Sequence, residues 1–228
     1  MSLAARRDAA ELMDADDLPS DTYAAVVADL AKVNVLTLAA RPTLAFLRRR
    51  TRPGRRYRLL DVGFGDGDML RRIEAWGARR DIHLDLVGVD LNPRSEAAAR
   101  AHTPPGSAIE WRTGDYAALA GQGWDFVVSS LVAHHMTHAE LIAFLRFMDR
   151  EARVGWLVND LHRHGFAYRG WPVLAALMRW HPIVRHDGHV SIARSFRNDD
   201  WEALLAEAGV DGRVHRVFPF RLCVEGQA

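Results

Sequence analysis

Leu59-Leu60-Asp61-Val62-Gly63-Phe64-Gly65-Asp66-Gly67-Asp68-Met69-Leu70 is the stretch whose reading decides the fold. An apolar run bounded by glycines reads as a buried strand, and Asp68-Met69-Leu70 reads as the start of a helix. Glycine at every second position between them lets the backbone turn sharply and approach a ligand, because no Cβ stands in the way. The spacing G-x-G-x-G differs from the G-x-G-x-x-G with which dinucleotide-binding folds hold a pyrophosphate at a helix N-terminus. Asp61, Asp66 and Asp68 crowd the turn, a poor setting for phosphate and a better one for a ligand carrying positive charge.

Outward from this turn the chain alternates strands and helices. Arg58–Val62 is the first strand and 68–79 its helix. His83–Asp90 is the second strand, followed by a helix over Pro93–His102. A short strand over 108–113 leads into Gly114-Asp115. Phe126–Ser129 is the fourth strand, His138–Glu151 a helix, and Gly155–Leu161 the fifth strand. Residues 166–181 read as a helical insertion, 199–208 as a helix stopped by Gly209, and Arg213–Val217 with Arg221–Glu225 as two terminal strands. Such alternation implies a mostly parallel sheet with helices on both faces, and ligands at the carboxyl ends of its strands. Ahead of the sheet, residues 22–50 carry apolar residues at three- and four-residue steps, with Pro42 expected to split them into two helices at about Arg41. Residues 1–20 read as a loosely attached start. The basic connector from Arg48 to Arg58 reads as a solvated loop rather than a nucleic-acid patch.

Composition narrows the class. The chain has 228 residues, 49% hydrophobic and 26% charged, with a net charge of +1, so no global field points to nucleic acid or a membrane. A single cysteine, Cys223, gives no disulfide framework and fits a reducing cytoplasm. Met1 to Asp21 lacks an apolar stretch, so no signal peptide is expected, and no apolar run is long enough to span a bilayer.

Each predicted strand end carries a polar signal. Asp61 and the glycine turn close the first strand, and Asp90 closes the second within Val87-Gly88-Val89-Asp90-Leu91-Asn92-Pro93, where a carboxylate suits two ribose hydroxyls. Gly114-Asp115-Tyr116 follows the third strand and could accept from an adenine amino group. Ser129-Ser130-Leu131-Val132-Ala133-His134-His135-Met136 follows the fourth. Taken together, these motifs resemble the class I S-adenosylmethionine (SAM)-dependent methyltransferases, over about residues 55–228.

The resemblance implies a Rossmann-like, doubly wound seven-stranded sheet, mostly parallel with its last strand antiparallel. It implies SAM as cofactor, with S-adenosylhomocysteine (SAH) as product, laid across strands one to four on Asp61, Gly63, Gly65, Gly67, Asp90, Leu91, Asp115, Tyr116 and Ser130. Residues 1–54 would form a helical cap over the acceptor, and residues 55–228 the SAM-binding core with an insertion at about 165–190. One departure is structural: where many members carry Pro-Gly-Gly before strand five, this chain has Glu151-Ala152-Arg153-Val154-Gly155. The Asn/Asp-Pro-Pro-Tyr/Phe motif of base-amino methyltransferases is also absent after strand four, which argues against nucleic-acid acceptors.

The reaction is displacement at a methyl carbon, so alignment of nucleophile, methyl and sulfur is the main requirement. A neutral phenol needs a base, and histidine titrates near neutral pH. His135 is the first candidate and His134 the second; alternatively one of them packs beside the cofactor. After strand five, His162, Arg163 and His164 are candidates for acceptor binding, or form a plain polar loop. Trp156, Trp171 and Trp180, with the apolar N-terminal stripe, point to a greasy pocket for a flat acceptor, though aromatics at helical spacing are often only core. His134 with His138, or His162 with His164, have chelating spacing, but without a cysteine pair or H-E-x-x-H no metal is expected.

The resulting expectation is a methyltransferase, monomeric or homodimeric, acting on the oxygen of a phenol, resorcinol or quinol in specialised metabolism. The alternatives are C- or N-methylation, a dinucleotide-binding oxidoreductase, and a SAM-binding protein without chemistry.

Overall fold

The computed structural model describes residues 3–7, 9–15 and 17–227. Its centre is a seven-stranded sheet made of β1 (Arg56–Val62), β2 (His83–Asp90), β3 (Glu110–Thr113), β4 (Phe126–Ser130), β5 (Gly155–Leu161), β6 (Arg213–Val217) and β7 (Arg221–Gly226). The order across it is β3-β2-β1-β4-β5-β7-β6. β1 to β5 run parallel, and β7 inserts antiparallel between β5 and β6. The Rossmann-like topology expected from the resemblance is therefore present.

Successive residues of the central strands face opposite sides, as strand geometry dictates. Leu60, Val127, Trp156, Val158 and Val224 point into one apolar layer. That layer is closed by α5 (His138–Glu151) and α8 (Asn198–Ala208). Leu59, Phe126, Val128, Leu157 and Cys223 point into the other. There they meet α2 (Ala40–Arg50), α3 (Asp68–Ala78) and α4 (Pro93–His102). Burial on both faces explains why these strands read as unbroken apolar runs. It also places Trp156 in the core, away from the cleft the sequence assigned to it.

A third, smaller apolar cluster joins Val26 and Val33 of α1 (Ser20–Leu36) to Ala175 of α6 (Gly165–Leu177), Trp180, and Val184 of α7 (Pro182–Arg194). These helices roof the carboxyl edge of the sheet. No single helix among the described residues is long and apolar enough to cross a membrane, although α1 and α2, bent by 59°, reach that length and composition together.

Four expectations need correction. The break between the first two helices falls at residues 37–39, where Leu38 takes a left-handed φ of 54°, and not at Arg41. Pro42 sits in the first turn of α2, where its missing N–H costs no intrahelical bond. The insertion is two helices, because Pro182 starts α7 at a position that favours proline. The start of the chain is docked: the Leu12 and Met13 amides donate to Asp187 at 2.9 Å each, and Glu11 is buried. The basic connector is an exposed loop only over 51–55: Arg48, Arg49 and Arg50 end α2, with Arg49 at 2.6 Å from Glu225, and Arg56 and Arg58 open β1, with Arg58 stacked on Trp124.

Candidate functional site

One cleft of about 1120 Å³ runs between the carboxyl edge of the sheet and the roof of α1, α6 and α7. Pockets for a single small ligand usually measure about 300–1,000 Å³, so this one has room for two molecules side by side.

The glycine turn forms one end. Gly63, Gly65 and Gly67 adopt φ of 78°, 57° and 79°, the left-handed region that favours glycine. The reasons differ. A Cβ on Gly63 would lie 2.3 Å from Val132, and one on Gly67 would lie 2.4 Å from Trp111, so both sites are closed by the protein's own packing. A Cβ on Gly65 would meet nothing within 4 Å, and Gly65 lines the cleft. Of the three, Gly65 leaves its backbone open to a ligand, whereas Gly67 caps α3 and does not line the cleft.

Asp90 braces this turn: its carboxylate accepts from the Gly65 amide at 2.9 Å and the Asn92 amide at 2.8 Å. Asp61 lies beneath, fully buried, and neither oxygen has a hydrogen-bond partner. Burial, with a smaller push from Asp90, raises its carboxyl to about 7. An unpaired buried carboxylate is costly, so the position is suited to a cationic group. Asp61, Asp66 and Asp68 line a side chamber of about 50 Å³ that shares Gly63 and Ser130 with the main cleft. Asp66 and Asp68 already carry partners, Arg71 at 3.4 Å and Arg72 at 2.6 Å. Leu91, Gly114, Tyr116 and Ser130 also line the cleft. Asp115 caps the 3-10 turn at Tyr116, accepting from the Ala117 amide at 2.8 Å on Oδ1, and does not line the cleft.

The other end is built from distant segments. After β4, Leu131 takes a left-handed φ of 63° and a short 3-10 turn presents His134 and His135, their rings 4.3 Å apart. Asp160, at the end of β5 and fully buried, holds His134: Oδ1 lies 2.7 Å from Nδ1, and Oδ2 accepts the His134 amide at 3.0 Å. Burial pushes the Asp160 carboxyl up, but His134 and the backbone donors outweigh it, and the net direction is down. With Nδ1 held by Asp160, Nε2 of His134 is the ring nitrogen that faces Glu11.

Glu11 enters from the N-terminal segment. Ser191 donates its hydroxyl to Oε1 at 2.7 Å, and the same oxygen lies 3.7 Å from Nε2 of His134 and 3.8 Å from Nε2 of His135. Burial pushes its carboxyl up, partly offset by His135. Asp14, 3.4 Å from Nδ1 of His135, is held down chiefly by its hydrogen bond to that ring.

The candidates after strand five separate. His162 lines the cleft, and burial with neighbouring arginines pushes it down to about 4, so it is neutral at physiological pH. Arg163 turns away into the fold, bonding Ser195 O at 2.7 Å and Leu3 O at 3.1 Å and pairing with Asp200 at 3.0 Å. His164 is exposed, accepts from the Phe166 amide to cap α6, and stacks on Phe220. His138 pairs with Glu207 on the surface, so the His134–His138 spacing brings no second ligand. Sequence reasoning missed Glu11, Asp14, Ser191 and Arg221. The last is buried in the cleft wall with Nη1 unpartnered. Only Asp160, an acid at a strand's carboxyl end, carried a signal that could have found it.

The strand order, the glycine turn and the acids at the ends of β1 and β2 define a class: the fold is that of the Rossmann-like, SAM-dependent class I methyltransferases. Residues 59–155 match the family model described as a methyltransferase domain. No curated protein matches the chain by sequence. Among solved structures, a candidate O-methyltransferase from Nostoc punctiforme aligns over 96% of this chain at 14% identity and a TM-score of 0.61; the chain spans 64% of that protein. The plantazolicin methyltransferase BamL, solved with a desmethyl substrate analogue and SAH, aligns over 88% of this chain and 74% of its own at 14% identity and a TM-score of 0.64. Magnesium protoporphyrin IX methyltransferase from Synechocystis, solved with SAH, aligns over 93% and 90% at 17% identity and a TM-score of 0.56.

Proposed function

We propose that the chain is a SAM-dependent methyltransferase that methylates a small acceptor on oxygen, with a phenol, resorcinol or quinol as the favoured class and specialised metabolism as the setting. One observation carries this reading. A single cleft holds the open Gly65 backbone at one end, next to the side chamber of unpaired Asp61, and an Asp160-oriented histidine at the other. The neighbours solved with SAH agree with it.

When bound, SAM supplies an electrophilic methyl group on a cationic sulfur. Gly65 and Asp90 bind the nucleoside side, and Leu91, Gly114 and Tyr116 offer the surface on which a flat base rests. Asp61 lies on the amino-acid side, where an ammonium group compensates its buried carboxylate. The N-terminal segment and α1 act with the insertion as a cap, whereas α2 packs into the sheet core: Val26, Leu30 and Leu174 give the acceptor chamber apolar walls. They exclude water and hold an aromatic ring. The sequence favours His135 as the base, but His134 is the one that Asp160 orients, so His134 takes the acceptor's hydroxyl proton on Nε2 and His135 borders the same space. Positioned proton transfer of this kind contributes about 10²–10⁴-fold.

Calorimetric titration with SAM, SAH and NADH tests the assignment. Tight binding of SAM and SAH without NADH is the expected outcome; tight binding of NADH alone overturns it.

A further inference from the structure

Proton transfer by one histidine does not account for how three side chains converge at the acceptor end. Nε2 of His134 and Nε2 of His135 lie 3.7 and 3.8 Å from the same Oε1 of Glu11. Their ligand-capable atoms all fall within 4.8 Å of one another. These gaps are too long for hydrogen bonds. They come close to the spacing of ligands around one ion, since two donors at about 2.1 Å from a tetrahedral metal stand about 3.4 Å apart.

The surroundings match a metal centre as well. The remaining nitrogen of each ring faces a carboxylate, Asp160 at 2.7 Å for His134 and Asp14 at 3.4 Å for His135. Metal-bound histidines are held in this way, with Nδ1–H on a carboxylate and the Nε2 lone pair turned to the ion. Ser191 fixes the Glu11 oxygen from outside. Two imidazoles and one carboxylate are a transition-metal donor set; calcium and magnesium favour all-oxygen shells.

We propose that Glu11, His134 and His135 bind one divalent transition-metal ion, with a coordination position open toward the cleft for an oxygen of the acceptor. The last clause rests on the proposed function; ion binding rests on the geometry alone. An ion on Nε2 of His134 excludes a proton there, so metal-loaded and metal-free forms handle the acceptor hydroxyl differently.

The test uses the full chain stripped with a chelator, titrated with Zn²⁺ by calorimetry and with Co²⁺ by visible absorption. One ion per chain and Co²⁺ ligand-field bands are expected. Asp160→Asn should weaken binding by about 10- to 100-fold, and Glu11→Gln and His135→Ala by more. His138→Ala, on the surface, should change nothing. Thermal unfolding checks each variant, and His135→Gln replaces any that fails to fold. Absence of stoichiometric binding, or equal binding by Glu11→Gln and the native chain, overturns the site. Methyl transfer that proceeds without ion binding removes the metal and leaves the function. A bound ion with no methylated product does the reverse.

Discussion

At the glycine-turn end of the cleft, Gly65 and Asp90 hydrogen-bond across 25 positions of sequence. At the histidine end, Ser191 reaches Glu11 across 180 positions, while His134 and Asp160 are joined through neighbouring strands. The first end is largely backbone, made by the turn after β1 and braced from the end of β2, and it stands whenever the sheet stands. At the second, the His134–Asp160 pair rests on the sheet, but Glu11 and Asp14 join it only while the N-terminal segment is docked on α7 through Asp187. Two binding sites in one cleft can thus differ in how much of the fold each requires, and the one assembled from distant parts is the one that local opening would dismantle first.

The sharpest way to break this contrast is to remove the base. His134→Ala should lower kcat by about 10²–10⁴-fold while leaving SAM affinity unchanged, as read by steady-state kinetics beside calorimetry. A parallel loss of SAM binding would mean that the two ends are not independent.

Next in size is a pH effect confined to the glycine-turn end. Burial raises the Asp61 carboxyl to about 7 in the fold, against an ordinary aspartate value of 3.8. The folded state therefore holds its proton more tightly than the unfolded chain does. The stability contributed by the protonated form is complete below about pH 4 and is lost as pH rises through 7, by about 4 kcal/mol at most. Thermal unfolding of the ligand-free protein should show this decline between pH 4 and 8, and Asp61→Asn should flatten it. SAM should raise the melting temperature more at pH 8 than at pH 5, and an equal rise would argue against an ammonium beside Asp61.

Gly65→Ala is smaller. Placing a side chain in the left-handed region costs about 1–2 kcal/mol, and the new methyl occupies ligand space. SAM affinity should fall by about tenfold while the metal-binding cluster keeps its Co²⁺ spectrum. Smallest of all is His164→Ala, which removes an exposed helix cap worth under about 1 kcal/mol. Unchanged KM for the acceptor would agree with its position outside the cleft, and a raised KM would return it to the acceptor site.

The same contrast decides what could be read from the chain beforehand. The sheet was legible because its strands are apolar runs between glycines and its acids fall at strand ends. The helix break was misplaced because proline is tolerated in a first helical turn, and Leu38 does the turning instead. Glu11 was invisible: a lone acid in a polar N-terminal stretch has no local pattern, and its role comes from Ser191 and two histidines in another part of the sequence. Arg163 stood beside chemistry-bearing residues, yet the carbonyls of Ser195 and Leu3 claim it. Asp115 was placed at the right strand end, but its carboxylate caps a turn.

The central claim is methyl transfer within this cleft, and its most direct measurement uses SAM carrying an isotopically labelled methyl group, a panel of phenols, quinols and amines, and mass analysis of the products. The account predicts label on a phenolic oxygen with equimolar SAH, abolished in His134→Ala although SAM still binds. Label on no acceptor, or equal labelling by His134→Ala and the native chain, would contradict it.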